Sequence, residues 1–274
     1  SLRGKYRSRP MAELLDEAAE LSSAGVKELL VIAQDITRYG TDLNGEHQLA
    51  ALLRELCKLD FHWIRLHYLY PDEITEDLID TIASEPKILP YLDIPIQHCN
   101  DGILKAMNRR DTKESIRALF QTLRARIPGL VLRTSLIAGL PGEGEAEFEE
   151  LCAFLREQKI ERAGVFPFSP EDGTRAAQMD HVDGSEAARR AEIAVDVQSD
   201  IIDEYNDSLL GEEREVLCEG FDGQAQMFYG RSYAESPEID GRIWFTAEET
   251  PEPGDFAAVR LTGVMDGELT GERV

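Results

Sequence analysis

Hydrophobic residues along positions 11–168 alternate between helical spacing and short apolar runs. Met11, Leu14, Ala18 and Leu21 recur at helical spacing, and Gly25 then supplies a stop signal. The apolar run at 29–33 that follows predicts a buried strand. Further strands are predicted at 63–68, 92–97, 130–138 and 163–168, and further helices at 49–56, 75–83, 101–107, 113–126 and 145–158. This alternation predicts a parallel sheet with helices outside it.

The predicted strands carry polar side chains on one face, namely Asp93, Gln97, Arg133 and Ser135. An open, doubly wound sheet is more often apolar on both faces. A polar inner face instead favours a partial (β/α) barrel whose lumen holds a ligand. Thr75 is predicted to cap the helix that begins there.

The last third of the chain changes character. A long polar helix is predicted at 185–209, with Ile193, Val197, Ile201 and Ile202 on one stripe. Short apolar strands at 216–218, 226–229, 243–245 and 257–261 follow, separated by Gly- and Pro-rich turns. We therefore predict an α/β barrel over 1–183, a connecting helix over 184–210 and a small all-β barrel over 211–274.

The net charge of the chain indicates which kinds of partner it can bind. It has 29 Lys and Arg residues against 53 Asp and Glu residues, a formal net charge of −24. Such a surface repels phosphate backbones and attracts a basic protein, although solubility explains the acidity as well. No apolar run approaches the ~20 residues that span a bilayer, and the first residues lack an apolar signal core. We expect a cytoplasmic protein that binds neither membrane nor nucleic acid.

The wide spacing of the cysteines and the absence of several catalytic motifs exclude some classes of site. Cys57, Cys99, Cys152 and Cys218 are too far apart in sequence for a metal or redox motif. The chain has no Gly-x-Ser-x-Gly elbow, no His-Glu-x-x-His zinc motif and no P-loop lysine. The residues alone therefore predict no catalytic side chain and no metal ligand.

Polar residues gather at the predicted strand ends, where parallel α/β proteins bind ligands. The main candidates are Gln34, Asp35, Gln97, His98, Arg133 and Ser135. Their amide, carboxylate, imidazole and guanidinium groups suit a nucleoside-like cofactor. Each has a structural alternative: Asp35 can cap a turn, His98 can be a hydrogen-bonded core residue, and Arg133 can pair with Asp93.

Several segments resemble, in the same order, the RimO branch of the radical S-adenosylmethionine (SAM) methylthiotransferases. They are 2–10 (LRGKYRSRP), 31–35 (VIAQD), 65–71 (RLHYLYP), 89–98 (LPYLDIPIQH), 107–110 (MNRR), 137–143 (IAGLPGE), 168–174 (FSPEDGT) and 234–241 (AESPEIDG). The last of these is similar to the C-terminal TRAM domain of that branch. The resemblance covers essentially the whole chain.

This resemblance implies a transferase that binds SAM against a 4Fe-4S cluster, with a second 4Fe-4S cluster in the full-length protein. Reductive cleavage of SAM yields a radical that takes a hydrogen from an unactivated carbon, where a methylthio group is then installed. In the RimO branch the substrate is the β-carbon of an aspartate in a basic small-subunit ribosomal protein. An electron donor is a further implied partner.

The family's cofactor residues carry over onto matching positions of this chain. The resemblance implies that Gln34, Asp35, Gln97, Arg133 and Ser135 face the cofactor. It also implies that Ile137 and Gly139 lie near the adenine. The general radical-SAM pattern of this strand is Gly-x-Ile-x-Gly-x-x-Glu. Here Ser135 replaces its first glycine, and Glu143 comes one residue late.

The chain also lacks parts of the family pattern. The cluster motif CxxxCxxC is absent, and so is the family's N-terminal domain. A thiolate-ligated cluster needs its cysteines, so we expect a fragment, cut just after those cysteines and inactive by itself.

The C-terminal part helps to choose the substrate. Residues 211–274 contain fifteen acidic residues, five arginines and no lysine, which favours a basic protein over RNA. A MiaB-like enzyme acting on a tRNA adenosine, and a cluster-less binding module, stay as alternatives.

Overall fold

The first part of the chain is an alternating α/β unit, described here from a computed structural model that covers residues 4–274. Its elements are α1 (Met11–Ser23), β1 (Glu28–Val31), α2 (Thr41–Asn44), α3 (Leu49–Leu56), β2 (Trp63–Leu66), α4 (Glu76–Ser84), β3 (Ile88–Asp93), α5 (Asp101–Ala106), α6 (Lys113–Arg126), β4 (Val131–Ala138), α7 (Glu145–Gln158) and β5 (Arg162–Pro167). Short 3₁₀ turns lie at Pro71–Glu73 and Ala176–Gln178. The family segment at 2–10 falls partly outside the described residues.

The five strands form one parallel sheet in the order β1-β2-β3-β4-β5. Alternate strand residues such as Leu66, Leu92 and Leu136 are buried in the main hydrophobic core together with residues of the helices. The opposite face, called the inner face below, carries Arg65 and Arg133 among other polar residues. The predicted fold class, a partial (β/α) barrel, is therefore confirmed.

Side-chain caps fix where several helices begin. The Thr75 hydroxyl accepts a hydrogen bond from the Leu78 N–H at 3.2 Å, which confirms the predicted cap of α4. Asn100 caps α5 in the same way, and Thr112 forms a reciprocal capping box with Ser115 at the start of α6. Each cap satisfies a helix N–H that has no partner within its helix.

The third strand differs from its prediction. It was expected at 92–97, whereas β3 spans Ile88–Asp93 and continues only as an isolated bridge between Gln97 and Leu136. Pro95 lacks a backbone N–H, so it interrupts the regular ladder. The Thr134 hydroxyl replaces ladder hydrogen bonds on both sides of Pro95. It accepts from the Ile96 N–H at 3.1 Å and donates to the Ile94 carbonyl at 2.8 Å.

Helix α8 (Gly184–Ser208) links this unit to the C-terminal domain. Its stripe of buried residues, which includes Ala194, Val197 and Ile201, contacts β4 and β5. The side-chain NH2 group of Gln198, a polar residue of this stripe, donates to the Ile160 carbonyl at 2.9 Å. No helix within residues 4–274 is long and apolar enough to cross a membrane.

The C-terminal domain is a closed β-barrel. Its strands are β6 (Glu213–Asp222), β7 (Met227–Arg231), β8 (Ile243–Thr246), β9 (Phe256–Met265) and β10 (Glu268–Arg273), in the order β10-β8-β7-β6-β9. The all-β prediction is confirmed, but β10 was missed. Only Leu269 of β10 is a buried hydrophobic residue, so the strand has no apolar pattern and owes its form to pairing with β8 and β9.

Candidate functional site

The carboxyl ends of the parallel strands form a rim where the backbone adopts unusual conformations. Tyr68 follows β2 with φ +62°, Gln97 follows β3 with φ +68°, and Asn108 follows α5 with φ +60°. Non-glycine residues rarely adopt this left-handed region, and such conformations concentrate at functional sites. At Gln97 the conformation is held on both sides, because its N–H donates to Ser135 O and its carbonyl accepts from the Ile137 N–H, each at 2.9 Å.

Two cavities open at this rim. The β4–β5 cavity has a volume of about 690 Å³ and brings together three of the predicted cofactor residues, Gln97, Ser135 and Ile137. Apolar side chains, including Met107 and Phe166, form much of the remaining wall. An amide, a hydroxyl and apolar surface in one cavity can bind a ligand that has both polar groups and a flat hydrophobic part.

The β1–β2 cavity, of about 640 Å³, contains the other pair, Gln34 and Asp35. Asn108 lies in the walls of both cavities. The Asp35 carboxylate accepts hydrogen bonds from the N–H of Thr37 at 3.0 Å and from the Thr37 hydroxyl. Asp35 therefore closes a turn, as its structural alternative proposed, and it also borders the cavity.

Arg133 lies deeper on the inner face and lines neither of these two cavities. Its guanidinium donates to the Asp93 carboxylate at 2.7 Å and lies 3.9 Å from Asp240 of the C-terminal domain. Tyr91 also donates to Asp240, and His67 lies 3.1 Å from the Ser236 hydroxyl. The expected pairing of Arg133 with Asp93 is thus present, while a contact of Arg133 with the cofactor stays a prediction.

The lower part of the inner face is occupied by the C-terminal domain, which corrects the expectation that its polar residues all face a ligand. Residues 231–240 pack there, and Arg65 donates to the Tyr233 carbonyl at 2.8 Å. Arg162 pairs with Glu235 at 2.9 Å. Polar residues on a strand face can bind a ligand or another domain, and the strand pattern is the same for both.

Gly139 lies at the turn after β4, with φ +83°. A Cβ at this position would lie 2.6 Å from the Ala187 Cβ of α8, so the turn requires glycine. The Gly139 N–H donates to the Glu143 carboxylate at 2.9 Å, and Arg190 of α8 donates to the same oxygen at 2.9 Å. Gly139 thus fixes the turn beside the β4–β5 cavity.

Glu143 is buried and connects three elements. His98 Nε2 lies 3.2 Å from its second oxygen, and His98 Nδ1 accepts from the Asn100 N–H at 2.9 Å. Burial by itself would raise the pKa of Glu143. Interactions with His98, Arg190 and the Gly139 N–H outweigh burial, so the pKa is lowered. Glu143 comes one residue later than the glutamate of the general radical-SAM pattern, but it is a charged residue that stabilises the rim. His98 is a structural residue.

The cysteines do not suit an iron–sulfur cluster. Burial raises the pKa of Cys57 to about 11 and that of Cys99 to about 12, and it also raises the pKa values of Cys152 and Cys218. A cluster requires thiolates. Within residues 4–274, no group of three or more His, Cys, Asp or Glu side chains is arranged to hold a metal ion. The described residues therefore fit a nucleoside cofactor better than a cluster.

Comparison with known proteins identifies the family. A sequence model of the radical SAM superfamily matches residues 1–155 of the 274. The chain belongs to the radical SAM superfamily. A TRAM-domain model matches residues 210–274, in agreement with the closed barrel there.

Two relatives of this radical SAM chain carry the same name. It is 46% identical to the ribosomal protein uS12 methylthiotransferase RimO of Symbiobacterium thermophilum, over 99% of this chain and 57% of that protein. It is also 46% identical to RimO of Pelotomaculum thermopropionicum, over 100% of this chain and 62% of that protein. The chain thus spans about three fifths of the length of these relatives.

A solved structure supports the radical SAM fold. Coproporphyrinogen III oxidase (HemN) from Escherichia coli aligns with a TM-score of 0.51 and 20% identity, over 72% of this chain and 48% of that one. At this identity the match shows the fold alone.

Two features of the radical SAM rim were missed from sequence. The turn at 107–110 separates the two cavities, although its only signal was its likeness to a family segment. The polar contacts between the inner face and the C-terminal domain join residues that are far apart in sequence, such as Arg65 and Tyr233, and no local pattern signals them.

Proposed function

We propose that this chain is the barrel and TRAM domain of a methylthiotransferase that modifies an aspartate β-carbon of ribosomal protein uS12. The observation that carries this proposal is 46% identity to a RimO protein over 99% of the chain. Residues 1–183 would form the barrel, 184–210 the connecting helix and 211–274 the TRAM domain. The polar and apolar walls of the two rim cavities suit SAM.

The side chains of the rim would bind and orient the cofactor. SAM, reduced by an iron–sulfur cluster, supplies hydrogen abstraction from an unactivated carbon. Gln97 and Ser135 would bind polar groups of the nucleoside, and Ile137, next to the Gly139 turn, would contact the adenine. Gln34 and Asp35 would bind polar groups of the same cofactor from the β1–β2 cavity. Arg133 would act from below, through its charge.

We further propose that this polypeptide by itself does not hold a cluster and does not turn over, and that the full-length protein has two clusters. The four thiols, three of them buried and all with raised pKa values, support the absence of a cluster from this polypeptide. We expect anaerobic reconstitution with iron and sulfide to give no stoichiometric 4Fe-4S centre, measured by iron and sulfide content and by absorbance. A stoichiometric centre on this chain would contradict the proposal.

The charge of the TRAM domain supports a protein substrate. Between residues 211 and 274 there are fifteen acidic residues and five arginines, so a polyanionic RNA would be repelled and a basic protein attracted. We expect the chain to bind uS12 more tightly than tRNA at matched salt, measured by fluorescence anisotropy. Raising the salt should weaken binding to uS12 because the attraction is electrostatic.

The tRNA alternative gives a different result in the same assay. Tighter binding to tRNA than to uS12 would replace the proposal by a tRNA methylthiotransferase. The sequence of the longer protein tests the third alternative: a CxxxCxxC motif directly before Ser1 supports the barrel of an enzyme, and its absence there would favour a cluster-less binding module.

A further inference from the structure

The β1–β2 cavity has an unusual charge for this chain. Its wall contains five basic residues, Lys5, Arg7, Arg38, Arg109 and Arg110, and four acidic ones, Asp35, Asp72, Glu73 and Asp111. The wall is therefore +1, whereas the whole chain is −24. Since the chain as a whole is strongly acidic, this local excess of basic residues indicates a site for a negatively charged group.

Arg109 is the cation best placed to bind such a group. Its guanidinium lies over the Tyr70 ring, 5.1 Å from the ring centre, and this cation–π contact holds it at the wall. Its Nη1 atom is buried and has no hydrogen-bond partner within residues 4–274. A buried charged donor without an acceptor is costly, and a ligand oxygen would remove that cost. The left-handed backbone of Asn108, with φ +60°, directs the turn that carries Arg109.

Two neighbouring arginines form only long ion pairs. Arg110 Nη1 lies 3.8 Å from Glu73 and 3.9 Å from Asp72, and its side chain is 81% exposed. Arg38 Nε lies 3.9 Å from the same Glu73 oxygen. These separations are too long for hydrogen bonds. The exposed Arg110 is therefore able to turn toward a ligand at little cost, whereas Arg38 also lies over the Tyr6 ring, 5.2 Å from its centre.

The acidic residues of the wall decide what kind of anion fits. Asp72 and Glu73 lie beside the arginines, and they would repel a ligand that carries many negative charges, such as an RNA backbone. They would attract cations next to a single carboxylate. The alternating charges therefore match one carboxylate flanked by Lys or Arg side chains, as in an acidic residue within a basic protein.

We propose that the β1–β2 cavity recognises the carboxylate of the substrate aspartate through Arg109, assisted by Arg110. Asp72 and Glu73 bind basic side chains that flank this aspartate. The inference rests on the proposed function, because that function supplies an aspartate in a basic protein as the substrate. It adds the residues that distinguish aspartate from its uncharged amide.

The test compares uS12 with a uS12 variant whose modified aspartate is replaced by asparagine. Both are titrated against this chain and against its Arg109→Gln and Arg110→Gln variants, with the affinity read by fluorescence anisotropy. Arg156→Gln is the matched control, since it removes the same charge from an exposed position on α7 outside the cavity. Thermal unfolding of each variant checks that it is folded.

We expect the unaltered chain to bind the aspartate form about tenfold more tightly than the asparagine form, as for one charge-assisted hydrogen bond. Arg109→Gln should bind both forms equally, Arg110→Gln should show a reduced preference, and Arg156→Gln should keep the full preference. If Arg109→Gln does not fold, the exposed Arg110 decides, and an undiminished preference in Arg110→Gln overturns the inference.

The remaining outcomes separate the inference from the proposed function. Equal binding of both uS12 forms by the unaltered chain overturns the inference and leaves the uS12 assignment standing. An undiminished preference of folded Arg109→Gln for the aspartate form also overturns the inference and leaves the uS12 assignment standing. Binding of tRNA with no binding of uS12 overturns the proposed function, and the inference falls with it.

Discussion

Glu28→Gln is expected to lower the free energy of unfolding by about 3–5 kcal/mol. The Glu28 side chain is 5% exposed and lies between two arginines, with Arg65 Nε and Arg231 Nη2 each 2.7 Å away. Arg65 belongs to the sheet and Arg231 to the C-terminal barrel, so this carboxylate joins the two domains. Glutamine keeps the shape but removes the counter-charge of the buried Arg65, while Arg231 keeps its ion pair with Glu219 at 2.6 Å. Urea unfolding followed by circular dichroism measures the effect.

A surface carboxylate provides the control for Glu28. Glu13 is 60% exposed and lies 3.9 Å from Arg9, so Glu13→Gln is expected to cost less than about 0.5 kcal/mol. If Glu28→Gln cost no more than Glu13→Gln, the two arginines would be satisfied without Glu28, and the described contact between the domains would be energetically unimportant.

The same carboxylate should make stability depend on pH. Burial by itself would raise the pKa of Glu28. The two arginines, Arg65 and Arg231, outweigh burial, so the pKa is lowered. A group with a lowered pKa in the folded state stabilises it above the unfolded pKa, and this contribution is lost as the pH falls through the folded pKa. We therefore expect the difference between wild type and Glu28→Gln to shrink below about pH 4.

Gly230→Ala is expected to destabilise the C-terminal barrel by about 3 kcal/mol. Gly230 lies on β7, where a Cβ would be 2.1 Å from the Leu217 carbonyl oxygen of the paired strand β6. That oxygen belongs to the backbone, so the strands themselves must separate to admit the methyl group. The register between β6 and β7 shifts between Cys218 and Gly220, next to this close approach. Trp244 on the adjacent strand β8 reports unfolding by its fluorescence.

Gly223→Ala is the matched control for this effect. Gly223 is an exposed residue between β6 and β7, and a Cβ there would meet no atom within 4 Å. Its substitution should change the free energy of unfolding by no more than about 0.5 kcal/mol. Equal stability of the two variants would mean that β6 and β7 are able to separate without cost, in contradiction to the close approach at Leu217.

The C-terminal domain also packs against the inner face of the sheet. Its residues 231–240 fill the lower part of the inner face, and Asp240 lies near Arg133, below the β4–β5 cavity. The rim and the C-terminal domain are therefore parts of one packed unit.

The sequence by itself determined the local elements and the family. Lys113–Arg126 and Glu145–Gln158 form the helices predicted for them, and Thr75 caps α4, because helical periodicity and caps depend on neighbouring residues. Family segments identified the rim, and the structure brings Gln97, Ser135 and Ile137 together in one cavity. These features needed only short stretches of chain to be recognised.

Only the tertiary structure decided which polar residues face a cavity and which face the other domain. Arg133 and Ser135 lie two residues apart on the same face of β4, yet Ser135 lines the β4–β5 cavity and Arg133 pairs with Asp93 near Asp240. Alternation along a strand assigns a face, but the partner of that face comes from residues far away in the chain. Strand β10 was missed for the same reason, since backbone pairing with β8 and β9 formed it without an apolar pattern.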